Sequence, residues 1–307
     1  MAELFAFWEK TQKELSEIPL AVERKTICNS KAYRVDQINF QSLFAEIVTG
    51  YLFLPIGQGP FPLVLDCLGY MNHVEPFTTA ISFSQWTEIG CACFVIDNRG
   101  QGGKTSDDAP YQTVWHEAPL GRGFLAKEDW YQRRLISDHL RALALTQVLS
   151  DIATDQLFLR GGSQGGGVVL MVNSLSNIPI LATFADVPSH SNLVHRIETG
   201  TGSYQVIHNY LQKYPEYKKT VESIMPYFDT KNFVQRIRNQ VFISVGSHDP
   251  ICPMDDFLPT YRRIDAVKQL YVYWNKGHNG GGKRQLAREK ARVQKILQEV
   301  RHENSNL

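Results

Sequence analysis

The chain has 307 residues, which suits one large domain or two ordinary ones of ~100–200 residues each. Hydrophobic residues make up 43% and charged residues 21%. That excludes a disordered, collagen-like or low-complexity chain and supplies apolar material for a core. With 32 Lys and Arg against 31 Asp and Glu, the net charge is +1, so nothing in the balance calls for nucleic acid or an anionic membrane as partner.

In chain order, the first signal is Leu4, Trp8 and Leu15, which recur at helical spacing across MAELFAFWEKTQKEL. Glu3, Glu9, Lys10, Lys13 and Glu14 interrupt the stretch, so it predicts an amphipathic helix packed on the body and not a secretory signal. No run of ~18 apolar residues follows, and no membrane span is expected. Short apolar runs at 47–54, 62–68, 92–97, 156–160, 180–186, 240–246 and 269–274 end in polar or glycine-rich turns. They are rich in Val, Ile and Phe and do not alternate, which predicts strands covered on both faces, as in a parallel sheet. Helical patterns lie between them: Ile136, Leu140 and Leu143 share a face within 131–150, and Leu286, Val293, Leu297 and Val300 do so near the C-terminus.

Alternating strands and helices predict an α/β fold, with a mostly parallel central sheet flanked by helices. Residues 98–130 fall outside the rhythm as a long polar loop. Residues 187–239 read as a helical insertion before the strand at 240–246, a cap over the sheet's edge. No linker divides the chain, so residues 1–307 are expected to form one decorated domain. The five cysteines, Cys28, Cys67, Cys91, Cys93 and Cys252, are an odd number, which gives the expectation of reduced thiols and a cytoplasmic protein. Cys91 and Cys93 have no second pair to complete a zinc site and read as buried small hydrophobes.

The chemistry-bearing stretch is Gly161-Gly162-Ser163-Gln164-Gly165-Gly166-Gly167, set between a strand-like and a helix-like run. A Gly-x-Ser-x-Gly motif in that context is a sharp turn that projects the serine hydroxyl above the sheet. Glycines on both sides remove Cβ atoms that would collide. The amide following the serine then points at a reacting carbonyl from a helix N-terminus. A serine needs a base and an orienting carboxylate, which in this arrangement follow in the order Ser, Asp, His at the ends of later strands. Asp249 follows the strand at 240–246 and His278 follows the strand at 269–274, both on the rim where open parallel sheets bind ligands. Among the other histidines, His116 and His139 precede the serine and His248 precedes the carboxylate. His190, His195 and His208 lie in the insertion, where solvated or cap-packing roles are expected. Asp255 and Asp256, the rival carboxylates, sit near the start of a helix and suit its dipole.

Beyond these, the sequence carries Arg99-Gly100-Gln101-Gly102, Cys252-Pro253 shortly after Asp249, and Gly280-Gly281-Gly282 after His278, with weaker echoes at Asp186-Val187-Pro188 and Tyr227-Phe228-Asp229. Together with the serine motif, these resemble the acetyl xylan esterase/cephalosporin C deacetylase family, carbohydrate esterase family seven of the α/β-hydrolase fold, over almost the whole chain. The resemblance implies Ser163 as nucleophile, His278 as general base and acid, and Asp249 as its orienting carboxylate. It implies the backbone amides of Tyr70 and Gln164 as the oxyanion hole, Tyr70 and Ser203 as substrate contacts, and Arg99 and Gln101 as structural supports beside the nucleophile loop. It further implies removal of acetyl groups from small acetylated sugars and similar esters such as cephalosporin C, without a cofactor or metal, by a cytoplasmic hexamer. The chain departs from the family pattern at Leu68 where relatives carry His, at Ser203 where proline is expected near the acyl pocket, and at Asn279 where relatives carry Glu.

No Gly-x-Gly-x-x-Gly follows a strand; the nearest, Gly121-Arg122-Gly123-Phe124-Leu125-Ala126, lies in the polar loop. No P-loop and no His-Glu-x-x-His occur. The residues leave two readings beside hydrolysis: a non-catalytic sugar-binding or scaffold homologue, and an acyltransferase or perhydrolase using the same acyl-enzyme.

Overall fold

The structure is a computed structural model that describes residues 2–75 and 80–305. Helix α1 (Ala2–Glu17) leads into strands β1 (Glu23–Asn29), β2 (Tyr33–Gln41), β3 (Ile47–Pro55) and β4 (Phe61–Cys67). Helix α2 (Ala80–Ser84), β5 (Ala92–Ile96), α3 (Tyr131–Leu145), β6 (Ile152–Gly162), α4 (Gln164–Leu175) and β7 (Ala182–Asp186) follow. Helices α5 (Leu193–Thr199), α6 (Gln205–Lys213) and α7 (Lys218–Ile224) occupy the expected insertion. The chain then runs through β8 (Gln240–Gly246), α8 (Met254–Arg262), β9 (Lys268–Tyr273) and α9 (Gly282–Ser305).

The strands form one sheet in the order β1-β2-β3-β5-β4-β6-β7-β8-β9. Pairings from β5–β4 to β8–β9 are parallel, while β1–β2, β2–β3 and β3–β5 are antiparallel. Each predicted apolar run is a strand. The two strands without such a signal are β1 and β2. β1 is an edge strand, ERKTICN, with no apolar run, and β2 alternates from Asp36 onward, burying Ile38 and Phe40 between half-buried neighbours. A search for two-sided burial passes over both.

Successive residues of the central strands feed opposite faces, as a period of two requires. Leu63, Leu65, Leu157 and Leu159 pack with α1, α3 and α4 on one side. Val64, Cys93, Val95, Phe158 and Phe184 pack with Val293 and Leu297 of α9 on the other. Cys91 and Cys93 are buried there, as small hydrophobes. In α1, Trp8 is fully buried and its indole Nε1 donates to the Tyr227 carbonyl at 2.8 Å.

The 98–130 segment, expected as a long polar loop, turns much of its polarity inward. It holds only a 3-10 turn at Pro119–Gly121 and an isolated bridge between Val114 and Arg122, but its polar residues Asn98, Arg99, Gln101 and Thr105 are buried. Their polarity serves internal partners: Arg99 meets Asp138, Glu46 and Asp107, and Asp107 also pairs with Arg122 and Arg134.

Candidate active site

Ser163 is the single residue between β6 and α4, with φ 57° and ψ −118°. Its amide donates to the Asp186 carbonyl at 2.9 Å, and its own carbonyl accepts from the amides of Ser189 and Gly167 at 2.9 and 3.2 Å. These bonds hold a backbone state that costs roughly 1–3 kcal/mol. The glycines have steric reasons. A Cβ on Gly165 would lie 1.9 Å from the Cys67 carbonyl oxygen, and one on Gly161 would lie 2.4 Å from the Gly165 backbone. Gly162 has room: its nearest neighbour would be Asp186, at 4.0 Å.

The register places the partners on the same rim. Gly162 pairs with Asp186, Asp186 with Ser244, and Gly246 with Tyr273, so the loops after β6, β8 and β9 leave one edge of the sheet. Asp249 is buried, and its Oδ1 accepts from the amides of Ile251 and Cys252 at 2.8 and 3.0 Å. That leaves Oδ2 at 2.8 Å from His278 Nδ1, while His278 Nε2 lies 2.9 Å from Ser163 Oγ. With the Nδ1 proton directed at the carboxylate, Nε2 is free to accept the serine proton.

Ser163, Gln164, Tyr70, Ser203 and His278 line one cavity of about 440 Å³. Burial pushes the Tyr70 phenol above its ordinary pKa, with the Leu120 backbone pulling the other way. Gln101 ties the turn after β4 to the start of α4. Its Oε1 accepts from the Met71 amide at 2.6 Å, and its Nε2 donates to Gln164 Oε1 at 3.2 Å and to Tyr131 Oη at 2.8 Å. Arg99 stands one step further out: its guanidinium turns to Asp138, and its carbonyl accepts from Tyr131 Oη at 2.8 Å. Through Tyr131, Arg99 joins the network that Gln101 makes with Gln164. Leu68 is buried at the end of this strand–turn unit, and Asn279 faces a separate hollow after His278.

The rival residues lie elsewhere. His248 is exposed, His139 is buried and bonded to the Leu135 carbonyl, and His208 Nδ1 sits 2.9 Å from the Ile197 carbonyl. Asp255 and Asp256 lie in the first turn of α8, with Asp256 bonded to Asn192 and His195. Of the solvated and packing roles expected for it, His190 takes the packing one, being 1% exposed, and it also lines the cavity. Burial, reinforced by Arg196, pushes its pKa down to about 3, so it is neutral. Gln132, Arg196, Tyr204 and Cys252 also line the cavity; of these only Cys252 carried a signal in the sequence, as part of the Cys252-Pro253 motif. They come from α3, the insertion and the loop after β8, and meet only through tertiary packing.

A serine on a strand–turn–helix elbow, hydrogen-bonded through histidine to aspartate on the rim of a mostly parallel sheet, defines an α/β-hydrolase. The chain belongs to the acetyl xylan esterase (AXE1) family, whose profile matches residues 2–296. It is 24% identical over 280 residues to the acetyl esterase Axe7A of Xylanibacter ruminicola, a match covering 87% of this chain and 61% of that protein. The chain thus spans about three-fifths of the length of that curated relative. In fold it is similar to an acetyl xylan esterase from Paenibacillus sp. R4, with a TM-score of 0.87 and 24% identity over 96% of this chain and 94% of that one. Acetyl xylan esterase 1 from Thermoanaerobacterium sp. JW/SL YS485 gives a TM-score of 0.86 and 20% identity over 96% and 93%.

Proposed function

We propose that the protein is a serine esterase that removes acetyl and other short acyl groups from small acetylated carbohydrates and related esters, cephalosporin C among them. The carrying observation is the continuous series Asp249–His278–Ser163, at 2.8 and 2.9 Å, opening on the cavity. In this reading Ser163 Oγ attacks the ester carbonyl as His278 Nε2 takes its proton. Asp249 holds the imidazole and stabilises the imidazolium. His278 then protonates the departing alkoxide, leaving Ser163 acylated, and water activated by the same imidazole releases the acid. The backbone amides of Tyr70 and Gln164 stabilise the oxyanion, a contribution of ~3–4 kcal/mol per donor. Two contacts support their pairing: a Cβ on Gly69 would stand 3.9 Å from Ser163 Cβ, and Gln101 bonds to both sides of the gap.

The purified protein is expected to hydrolyse p-nitrophenyl acetate, with Ser163→Ala lowering kcat/KM by ~10³-fold or more. Equal rates for wild type and variant overturn the mechanism. A panel of acetylated xylo-oligosaccharides, acetylated monosaccharides and cephalosporin C ranks the alcohol part.

A further inference from the structure

Arg99, Arg134 and Arg196 are the arginines buried to 1% exposure or less. Arg99 pairs with Asp138, Glu46 and Asp107, and Arg134 with Asp107 and Asp129. Arg160, under the serine elbow, meets Asp66, Asp186 and Glu289. Arg196 differs. Among the described residues no carboxylate oxygen lies within ion-pair distance of it, and its partners are Ser189 Oγ at 3.1 Å, the Ile251 carbonyl at 2.5 Å and Cys252 Sγ at 3.8 Å. The Tyr204 ring covers it with its centroid 4.8 Å away, and its buried Nε has no hydrogen-bond partner. Arg141 also lacks a carboxylate, but it meets the carbonyls of Leu15, Ile18 and Gln41 around the end of α1. The hollow that Arg141 lines with Gln12, Leu140 and Pro179 contains none of Ser163, Asp249 and His278.

Arg196 lines the active-site cavity together with Ser163 and His278, and no Asp or Glu belongs to that lining. Two other lining residues hold buried polar atoms without partners, the donor Gln132 Nε2 and the acceptor His190 Nδ1. His190 Nε2 lies 2.9 Å from Gln132 Oε1, which leaves the buried Gln132 Nε2 without a partner. A buried, uncompensated guanidinium is costly, and a neutral side chain could make the same bonds to Ser189 and Ile251 without that cost. The charge has a use if the substrate brings the missing anion, since guanidinium and carboxylate match in geometry and form strong charge-assisted hydrogen bonds.

We propose that Arg196 is an anion-binding element of the active-site cavity and that the preferred esters carry a carboxylate close to the scissile bond. The carboxylate sits either on the alcohol, as in an acetylated acidic sugar, or on the acyl group, as in a monoester of a dicarboxylic acid. This deepens the esterase reading above and rests on it for turnover.

Two matched pairs test it. 3-Acetoxybenzoate against methyl 3-acetoxybenzoate places the charge on the alcohol side. The 4-nitrophenyl monoester of glutaric acid against its methyl ester places it on the acyl side, with spontaneous hydrolysis subtracted. The readout is the ratio of kcat/KM for the anionic over the neutral member, taken within one protein so that a variant's loss of folded enzyme cancels. In wild type one pair is expected to show a ratio of about 10 or more, from the strength of hydrogen bonds to charged groups, and that pair identifies the side. Arg196→Gln should bring the ratio to about 1, with Arg196→Lys retaining most of it. A wild-type ratio of 1 or below for both pairs, or an unchanged ratio in Arg196→Gln, overturns the proposal. Calorimetric binding of the same esters to Ser163→Ala reads the subsite without turnover. An inert wild type whose Ser163→Ala form still binds the anionic member more tightly overturns the esterase reading and keeps the subsite. An active enzyme with no preference overturns the subsite alone.

Discussion

At the scale of single residues, the cavity wall is built from side chains whose charge states are set by burial. His190 titrates at about 3 in the folded protein, against an ordinary value of 6.5. Between those values the unfolded chain binds a proton that the folded chain refuses. Stability therefore falls as pH drops below about 6.5, by up to ~1.4 kcal/mol per pH unit for one group. Above that value His190 is neutral in both states and contributes no slope. His139, also buried, is shifted in the same direction. Unfolding midpoints by circular dichroism from pH 7.5 to 4.5 should decline less steeply in His190→Gln than in wild type, and parallel curves would refute this assignment. Ser163, Asp249 and His278 were legible in the sequence because each follows a strand and the required order is fixed by the chemistry. His190 and Arg196 were not, because nothing periodic or motif-like marks a residue whose role depends on which neighbours fold over it.

At the scale of elements, the join between β6 and α4 depends on backbone packing against backbone. The Gly165 Cα faces the Cys67 carbonyl so closely that no side chain fits, whereas Gly162 has open space. Gly165→Ala should lose about 3 kcal/mol or fail to fold, as overpacking against immovable backbone does. Gly162→Ala should change stability by less than about 1 kcal/mol. Urea denaturation of the two variants measures the difference, and equal losses would show that the elbow relaxes. The sequence revealed the glycine motif but not which glycines are obligatory, since that depends on the strand beside them. The same limit applies to 98–130: its composition reads as a polar loop, and only the placement of Asp138 and Glu46 opposite Arg99 turns that polarity inward.

At the scale of the whole molecule, α1 is clamped between α3 and the insertion. Trp8 donates to Tyr227 and meets the rings of Phe7 and Phe228 edge-on, Arg133 pairs with Glu14, and Arg141 holds the carbonyls of Leu15 and Ile18. Trp8→Ala should cost about 3–5 kcal/mol, read as a lower thermal midpoint; a midpoint unchanged from wild type would mean that α1 is an ornament. The helix was legible from its spacing, but its docking partners, more than a hundred residues away in sequence, were not.

The sheet order carries a consequence for how the molecule comes into being. β4 lies at the middle of the sheet with β5 and β6 on its two sides, and β9, which delivers His278, is the outermost strand on the parallel edge and the last in the chain. During synthesis, the Ser163 elbow can form on β4, β6 and β7 long before the ribosome has added residues 268–278. In the mechanism proposed above, a chain that has not reached residue 278 carries Ser163 without the imidazole that would activate it. The proposed triad is complete only once β9 pairs with β8 along the sheet's edge.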